Sequence, residues 1–92
     1  MSLTTRSIVN RKAGLMSTRI DKDIFVLNPI RDIYIGLDEI GRRVWDLVEI
    51  PATVDNLCHQ LTQEYQGRQQ QISADLIAFL DEMNTEGLLD VQ

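Results

Sequence analysis

The stretch IYIGLDEIGRRVWDLV, residues 33–48, changes from the period of a β-strand to the period of an α-helix. Its first five residues alternate between apolar side chains and others, which is typical of a strand with one buried face. The apolar members are Ile33, Ile35 and Leu37. After Asp38 the apolar positions follow the three- and four-residue spacing of an amphipathic helix. Asp38 can cap the first helical turn, so the stretch predicts a strand that runs directly into a helix.

The composition favours one small domain. The chain has 92 residues, of which 43% are hydrophobic, enough for a single core of modest stability. No apolar run approaches the ~20 residues that span a bilayer, and the first residues lack the apolar segment of a secretory signal. We therefore expect a cytoplasmic protein with no membrane partner. Its one cysteine, Cys58, lies at an apolar helical position and is expected to be a buried thiol.

The segment before residue 33 predicts a meander of strands. Residues 15–20 and the apolar run 24–27 suit strands, and a polar turn at 21–23 separates them. A loop containing Pro29 then leads to the strand at residues 33–37. We expect residues 1–14 to form an N-terminal arm or an edge strand ahead of one winged-helix domain over residues 15–92.

Two more helices are predicted after the first. Pro51 ends the first helix, because proline has no amide proton to donate and restricts the residue before it. Thr53 is expected to cap the second helix and Ser73 the third, which Gly87 closes. Residues 88–91 suit a short terminal strand. The predicted fold class is α+β, a winged helix-turn-helix with an N-terminal antiparallel sheet of two or three strands followed by three helices.

The third helix has an unusually wide apolar face. At about 100° per residue, five residues cover an arc of roughly 100°, and Ile77 widens it to roughly 160°. The five are Ile72, Leu76, Phe79, Leu80 and Met83. These side chains either complete the core, or one flank with Phe79 and Met83 faces a groove beside the sheet and receives an apolar partner. Phenylalanine and methionine suit such a surface because they offer adaptable contact area.

The charge distribution argues against nucleic acid as a partner. All nine basic residues lie at or before Arg68, and residues 69–92 carry acidic charges alone. A winged helix that binds DNA places its recognition helix in the major groove and supports it with lysine and arginine on phosphates. An acidic third helix would be repelled. A DNA-binding regulator is therefore the alternative of another class, and we expect no nucleic-acid partner.

Motifs of catalysis and cofactor binding are missing from the sequence. It has no glycine-rich phosphate loop, no Gly-x-Ser-x-Gly elbow and no histidine–cysteine cluster at metal spacing. The one histidine, His59, neighbours Cys58, but adjacent helical positions point about 100° apart and do not chelate one metal easily. We expect no enzyme activity, no catalytic residue, no cofactor and no metal.

Three segments together resemble a known family. They are Gly-Leu-Asp-x-x-Gly-Arg-Arg-Val-Trp at residues 36–45, Pro-x-Thr-Val-x-x-Leu-x-x-x-Leu at 51–61 and Phe-Leu-x-x-Met-x-x-x-Gly-Leu-Leu at 79–89. In this order and spacing, after predicted strands, they resemble pyrroloquinoline quinone biosynthesis protein D and the related RiPP recognition elements. The resemblance runs from about residue 23 to residue 91. It implies a small winged-helix domain that binds the leader segment of a ribosomally made precursor peptide.

The resemblance also implies a site and partners. The leader would add a strand to residues 33–37 and lie in a groove walled by the third helix. The expected peptide-binding residues are Ile33, Tyr34, Ile35, Gly36, Leu76, Phe79, Leu80 and Met83. The turn at residues 50–52 is similar to that of the stand-alone recognition proteins of lasso-peptide clusters, which present the precursor to a leader peptidase and a cyclase. A peptide chaperone of the quinone pathway is the alternative within the family.

Overall fold

The computed structural model describes residues 3–92. Along the chain it contains β1 (Ile8–Arg11), β2 (Met16–Ile20), β3 (Asp23–Asn28), β4 (Ile33–Leu37), α1 (Glu39–Leu47), β5 (Ala52–Thr53), α2 (Val54–Glu64), α3 (Gln69–Thr85) and β6 (Leu89–Val91). All paired strands are antiparallel. The α+β class, with antiparallel strands at the N-terminus and three helices after them, is confirmed.

The junction between strand and helix lies at Asp38, where the sequence changes from strand spacing to helix spacing. β4 ends at Leu37, and α1 begins at Glu39. Asp38 is the N-cap, and its Oδ1 accepts a hydrogen bond from the amide of Gly41 at 2.8 Å. This bond satisfies one of the amide groups that the first turn of a helix leaves unpaired. The cap therefore fixes the direction in which α1 leaves the sheet.

Strands β2, β3 and β4 form one sheet in that order. Val26 of β3 pairs with Ile35 of β4, and Phe25 pairs with Gly36. Val26 is fully buried, whereas Phe25 is half-buried. Because successive side chains point to opposite faces of a strand, the sheet has an inner face on the core and an outer face that carries Phe25.

A second sheet corrects the prediction for the N-terminal segment. β1 is the central strand of a sheet with the order β5-β1-β6, so residues 8–11 are neither an arm nor an edge strand. Val9 is completely buried and pairs with both Ala52 and Val91. The sequence pattern missed this because the partners are two and three residues long and come from distant parts of the chain. Residues 1 and 2 of the predicted arm lie outside the described range.

Two of the three predicted helix ends in α2 and α3 are found in the structure, and one is not. Thr53 Oγ1 accepts from the amide of Asn56 at 3.1 Å, which confirms the predicted cap of α2. Gly87 has a φ of +79° just after α3, a conformation that favours glycine at a helix end. The predicted cap at Ser73 is wrong, because α3 already begins at Gln69. The glutamines of residues 69–71 are good helix formers and extend the helix by one turn.

One hydrophobic cluster unites both sheets and all three helices. Its most deeply buried side chains include Val9, Val44, Leu80, Met83 and Leu88. Cys58 is a buried free thiol, as expected. None of the helices within residues 3–92 has the length and apolar character that crossing a membrane requires.

Candidate functional site

A cleft of about 260 Å³ lies between β4 and the C-terminal half of α3. Its lining residues are Ile35, Gly36, Leu37, Asp38, Phe79, Glu82 and Met83. The structure therefore brings together two parts of the chain that the sequence predicts as the walls of one groove. Four of the predicted site residues line it: Ile35, Gly36, Phe79 and Met83.

The cleft lies beside a free sheet edge. β4 is the end strand of its sheet, so one long side of its backbone has no strand partner among residues 3–92. Such an edge presents amide and carbonyl groups that an extended peptide can satisfy. β2 is the opposite end strand, but all five of its side chains are exposed. The edge of β4 differs from that of β2 because an apolar wall stands next to it.

The side chain of Tyr34 lies outside the cleft, on the outer face of the sheet. Tyr34 is 59% exposed and its ring stacks on Phe25, with 5.4 Å between the ring centroids. Gly36 makes room for this stack, since a Cβ atom on Gly36 would lie 3.0 Å from Phe25 Cε1. Ile33, the first residue of β4, is half-buried and does not line the cleft.

The residues predicted on α3 divide between core and cleft. Leu80 is completely buried and Leu76 is 3% exposed, so both belong to the core. Met83 lines the cleft but is only 1% exposed. It therefore forms part of the buried floor of the cleft and not an exposed wall. Phe79 is half-buried and lines the cleft. Of the two side chains expected to face a groove, only Phe79 offers substantial open surface.

Hydrogen bonds tie the end of β3 and the loop after it to the end of α3. Asn28, which is 5% exposed, donates from Nδ2 to the carbonyl of Gly87 at 3.1 Å. Its Oδ1 accepts from the amide of Ile30 at 3.1 Å, and the guanidinium of Arg31 donates to the carbonyl of Thr85. Because Asn28 pairs with the first residue of β4, these bonds set the separation of the two cleft walls at that end.

The cleft is acidic as well as apolar. Of the side chains of residues 3–92 that line it, two are charged, Asp38 and Glu82, and none is basic. These two positions are additions to the residues predicted from sequence. Glu82 lies three positions after Phe79, a spacing that places two helical side chains on the same face, so the helical pattern could have revealed it. From the sequence alone, Asp38 is expected only to cap α1.

An ion pair joins α1 to α2. Arg43 donates from Nε to Glu64 Oε1 at 2.7 Å and from Nη2 to Oε2 at 2.8 Å. The hydrogen bonds from Arg43 and then from Gln60 lower the pKa of Glu64 from 4.5 to about 2. This bidentate pair fixes the relative position of the two helices and lies outside the cleft.

The cleft offers a free strand edge beside an apolar wall. Within residues 3–92 no three acidic, histidine or cysteine side chains are grouped as metal ligands. His59 is exposed and its ring contacts Gln63 at 3.2 Å, whereas the neighbouring Cys58 is buried. What the cleft can do chemically is to pair with an extended backbone and to cover apolar side chains.

Comparison with known proteins agrees with this geometry. The structure of TbiB1 in complex with the TbiA(β) leader peptide is similar to this chain, with a TM-score of 0.80 and 26% sequence identity. The similarity covers 88% of this chain and 94% of TbiB1. No curated protein sequence matches the chain. Residues 23–89 match the family of Coenzyme PQQ synthesis protein D (PqqD). The resemblance seen in the sequence is thus confirmed, and the chain belongs to the PqqD family as a PqqD-like RiPP recognition element.

Proposed function

We propose that this chain binds the leader segment of a ribosomally synthesised precursor peptide and delivers it to maturation enzymes without catalysing a reaction itself. The leader adds a strand to the free edge of β4 and packs its inward side chains against Phe79. The observation that carries the proposal is the free edge of β4 beside an apolar cleft walled by α3. The similarity to TbiB1, which was solved with a leader peptide, supports it.

The proposed binding mode divides affinity and selectivity between backbone and side chains. Strand addition supplies hydrogen bonds that do not depend on the peptide sequence, and the pockets beside the strand select its side chains. The predicted site residues then have different roles. Residues 33–36 contribute backbone, Phe79 contributes an apolar contact, and the buried side chains of Leu76, Leu80 and Met83 hold the wall in place.

The pathway we propose is lasso-peptide biosynthesis in the cytoplasm, with a leader peptidase as the enzyme partner. The turn at residues 50–52, which resembles that of lasso-cluster proteins, supports this choice. Pro51 there separates α1 from β5. A quinone-pathway peptide chaperone is the alternative. Neighbouring genes for a short precursor, a transglutaminase-like peptidase and an asparagine-synthetase-like cyclase would favour the lasso pathway, and genes for quinone synthesis would overturn it.

The experiment that tests binding uses nuclear magnetic resonance of the labelled protein. The probes are the leader peptides of short precursors encoded beside the gene and the TbiA(β) leader peptide. We expect amide shifts and slower hydrogen exchange in β4, and shifts around Phe79, with the amides of β2 unchanged. A peptide that shifts β2 alone, or no peptide that binds at all, would refute the proposal.

Strand addition makes a sharper prediction about the peptide backbone. In an antiparallel pair, the amides of alternate residues point toward the partner strand. N-methylation of successive peptide residues should therefore weaken binding at every second position and leave the positions between unaffected. Equal effects at all positions would mean that the peptide binds without joining the sheet.

A further inference from the structure

A second apolar cavity, of about 90 Å³, lies between the three helices. Its lining residues are Ile40 and Val44 of α1, Leu61 and Tyr65 at the end of α2, and Ile72, Asp75, Leu76 and Phe79 of α3. We call it the helical pocket. It lies on the N-terminal half of α3, whereas the cleft beside β4 lies on the C-terminal half. Leader binding at the cleft, as proposed above, does not involve the helical pocket.

The helical pocket has a buried floor and an open rim. Val44, Leu61 and Leu76 at the floor are no more than 3% exposed. On the rim, Ile40 is 52% exposed and Tyr65 is half-buried. Ile40 is half open to water above an apolar floor, and covering it with an apolar group is favourable because apolar surface is removed from water. The shape therefore suits an apolar side chain that enters from outside.

Phe79 connects the helical pocket to the cleft. Its side chain lines both cavities, and Phe79 Cζ would lie 3.1 Å from a Cβ atom on Gly41. The ring thus stands between the end of β4 and the first turn of α1. Leu37 lines the cleft and Ile40, three residues later in the chain, lines the helical pocket, so the two cavities adjoin at the junction of β4 and α1.

The sheet geometry indicates which part of a peptide would arrive there. Every strand pair among residues 3–92 is antiparallel. A peptide strand that adds to β4 in the antiparallel direction has its N-terminal part beside Leu37, the last residue of β4. Extended chain advances about 3.3 Å per residue and helix about 1.5 Å, so Ile40 lies within roughly two residues of the paired segment.

We propose that the helical pocket takes one aliphatic side chain, of leucine, isoleucine or valine, from a residue just N-terminal to the segment that pairs with β4. The proposal rests on leader binding at the cleft and makes the pocket a determinant of leader sequence. Size selects the class of side chain. A cavity of about 150 Å³ holds benzene; this one, at about 90 Å³, is filled better by a compact aliphatic side chain than by an aromatic ring.

Charge near the pocket favours basic neighbours in the peptide. Asp75 lies on the rim, one turn before Phe79, and Glu82 lines the cleft one turn after it. Residues 69–92 contain no basic side chain. The occupant is therefore an aliphatic residue with lysine or arginine beside it rather than aspartate or glutamate.

The test selects random peptides displayed on phage against the parent protein and three variants. Ile72→Phe adds a ring at the pocket, Ile72→Ala enlarges the pocket, and Ile77→Phe is the matched control. Ile77 lies on α3 but outside both cavities. Thermal melts check that each variant folds, since overpacking can cost stability.

We expect the parent and Ile77→Phe to enrich one aliphatic position upstream of the paired segment, with basic neighbours. Ile72→Phe should lose that position and bind the parent's peptides roughly tenfold more weakly. Ile72→Ala should accept phenylalanine there, a change of preference that a merely structural role does not produce. If the selected peptides shift β4 amides but show no aliphatic position, or Ile72→Phe keeps it, the pocket proposal is wrong. If no selected peptide shifts β4, leader binding at the cleft fails instead.

Discussion

Phe79 of α3 lies against Gly41 of α1, so close that a Cβ atom on Gly41 would be 3.1 Å from Phe79 Cζ. Gly41 is buried in the first turn of α1, and its amide donates to Asp38. The ring of Phe79 occupies the space that any other residue at position 41 would use for its side chain. This contact fixes the ring at the point where the cleft beside β4 meets the helical pocket.

Gly41→Ala should therefore change binding more than stability. Alanine is about 1 kcal/mol more favourable than glycine in a helix, which offsets part of the cost of the new contact. The methyl group should move the ring of Phe79 and weaken leader binding roughly tenfold. Ring chemical shifts and fluorescence polarisation measure both effects, with Glu39→Ala in the same turn as control. Parent-like ring shifts and affinity would contradict this role of Gly41.

Truncation of Phe79 should separate binding from folding. Phe79→Ala is expected to reduce leader affinity by tenfold to a hundredfold, or about 1–3 kcal/mol, with a smaller loss of stability than Leu80→Ala. Leu80 is completely buried, and its truncation should cost about 2–5 kcal/mol of unfolding free energy. Met83→Ala should behave like Leu80→Ala, because Met83 is also buried. Polarisation with a labelled leader, alongside urea unfolding, gives the two quantities. Unchanged affinity in Phe79→Ala would exclude the cleft as the site.

Trp45 should be essential for stability. It is 3% exposed, and the guanidinium of Arg11 lies over its ring, 4.5 Å from the centroid. Trp45→Ala should cost about 3–5 kcal/mol, a large share of the stability of a domain this small. A thermal melt compared with Tyr34→Ala, which removes an exposed aromatic ring, checks this. Equal melting temperatures for Trp45→Ala and the parent would show that the ring is not part of the core.

The pair between Arg43 and Glu64 should make stability depend on pH. The pKa of Glu64 is lowered from 4.5 to about 2, so between these values the unfolded chain binds more protons than the folded one. The stabilisation is complete above about pH 5.5 and is lost as the pH falls toward 2. Because the pair is partly exposed, we expect only about 0.5 kcal/mol at neutral pH.

Glu64→Gln should remove this contribution. Urea unfolding at pH 7 should show the variant less stable than the parent, and the difference should disappear near pH 2. Glu49→Gln, at an exposed position, removes the same charge without the pair. A Glu64→Gln difference that stays constant from pH 7 to pH 2 would mean that the ion pair contributes no stability.

DNA should not bind. The third helix carries only acidic charges, and a duplex would repel it along its length. Titration of random duplex at low salt should show no association at micromolar protein, by polarisation of labelled DNA. Micromolar affinity that weakens steeply with added salt would restore the DNA-binding alternative.

Local patterns in the sequence are enough to place β4 and α1. The change from alternation to helical spacing at Asp38 can be read from the sequence because both periods involve only neighbouring residues. The cap is equally local, since it joins residues three positions apart. The order of the three helices and the end of α3 just before Gly87 follow from similarly local signals. The family resemblance then connected residues 33–37 with α3, which no local pattern could do.

Which side chains are open to a partner depends on how distant parts of the chain pack together. Phe79 and Met83 belong to the same apolar face of α3, yet packing buries Met83 and leaves Phe79 between two cavities, because exposure depends on every element that covers the helix. The central place of β1 and the helical pocket were decided in the same way. Both arise from contacts between residues far apart in the chain, and a periodic pattern within one segment contains no information about them.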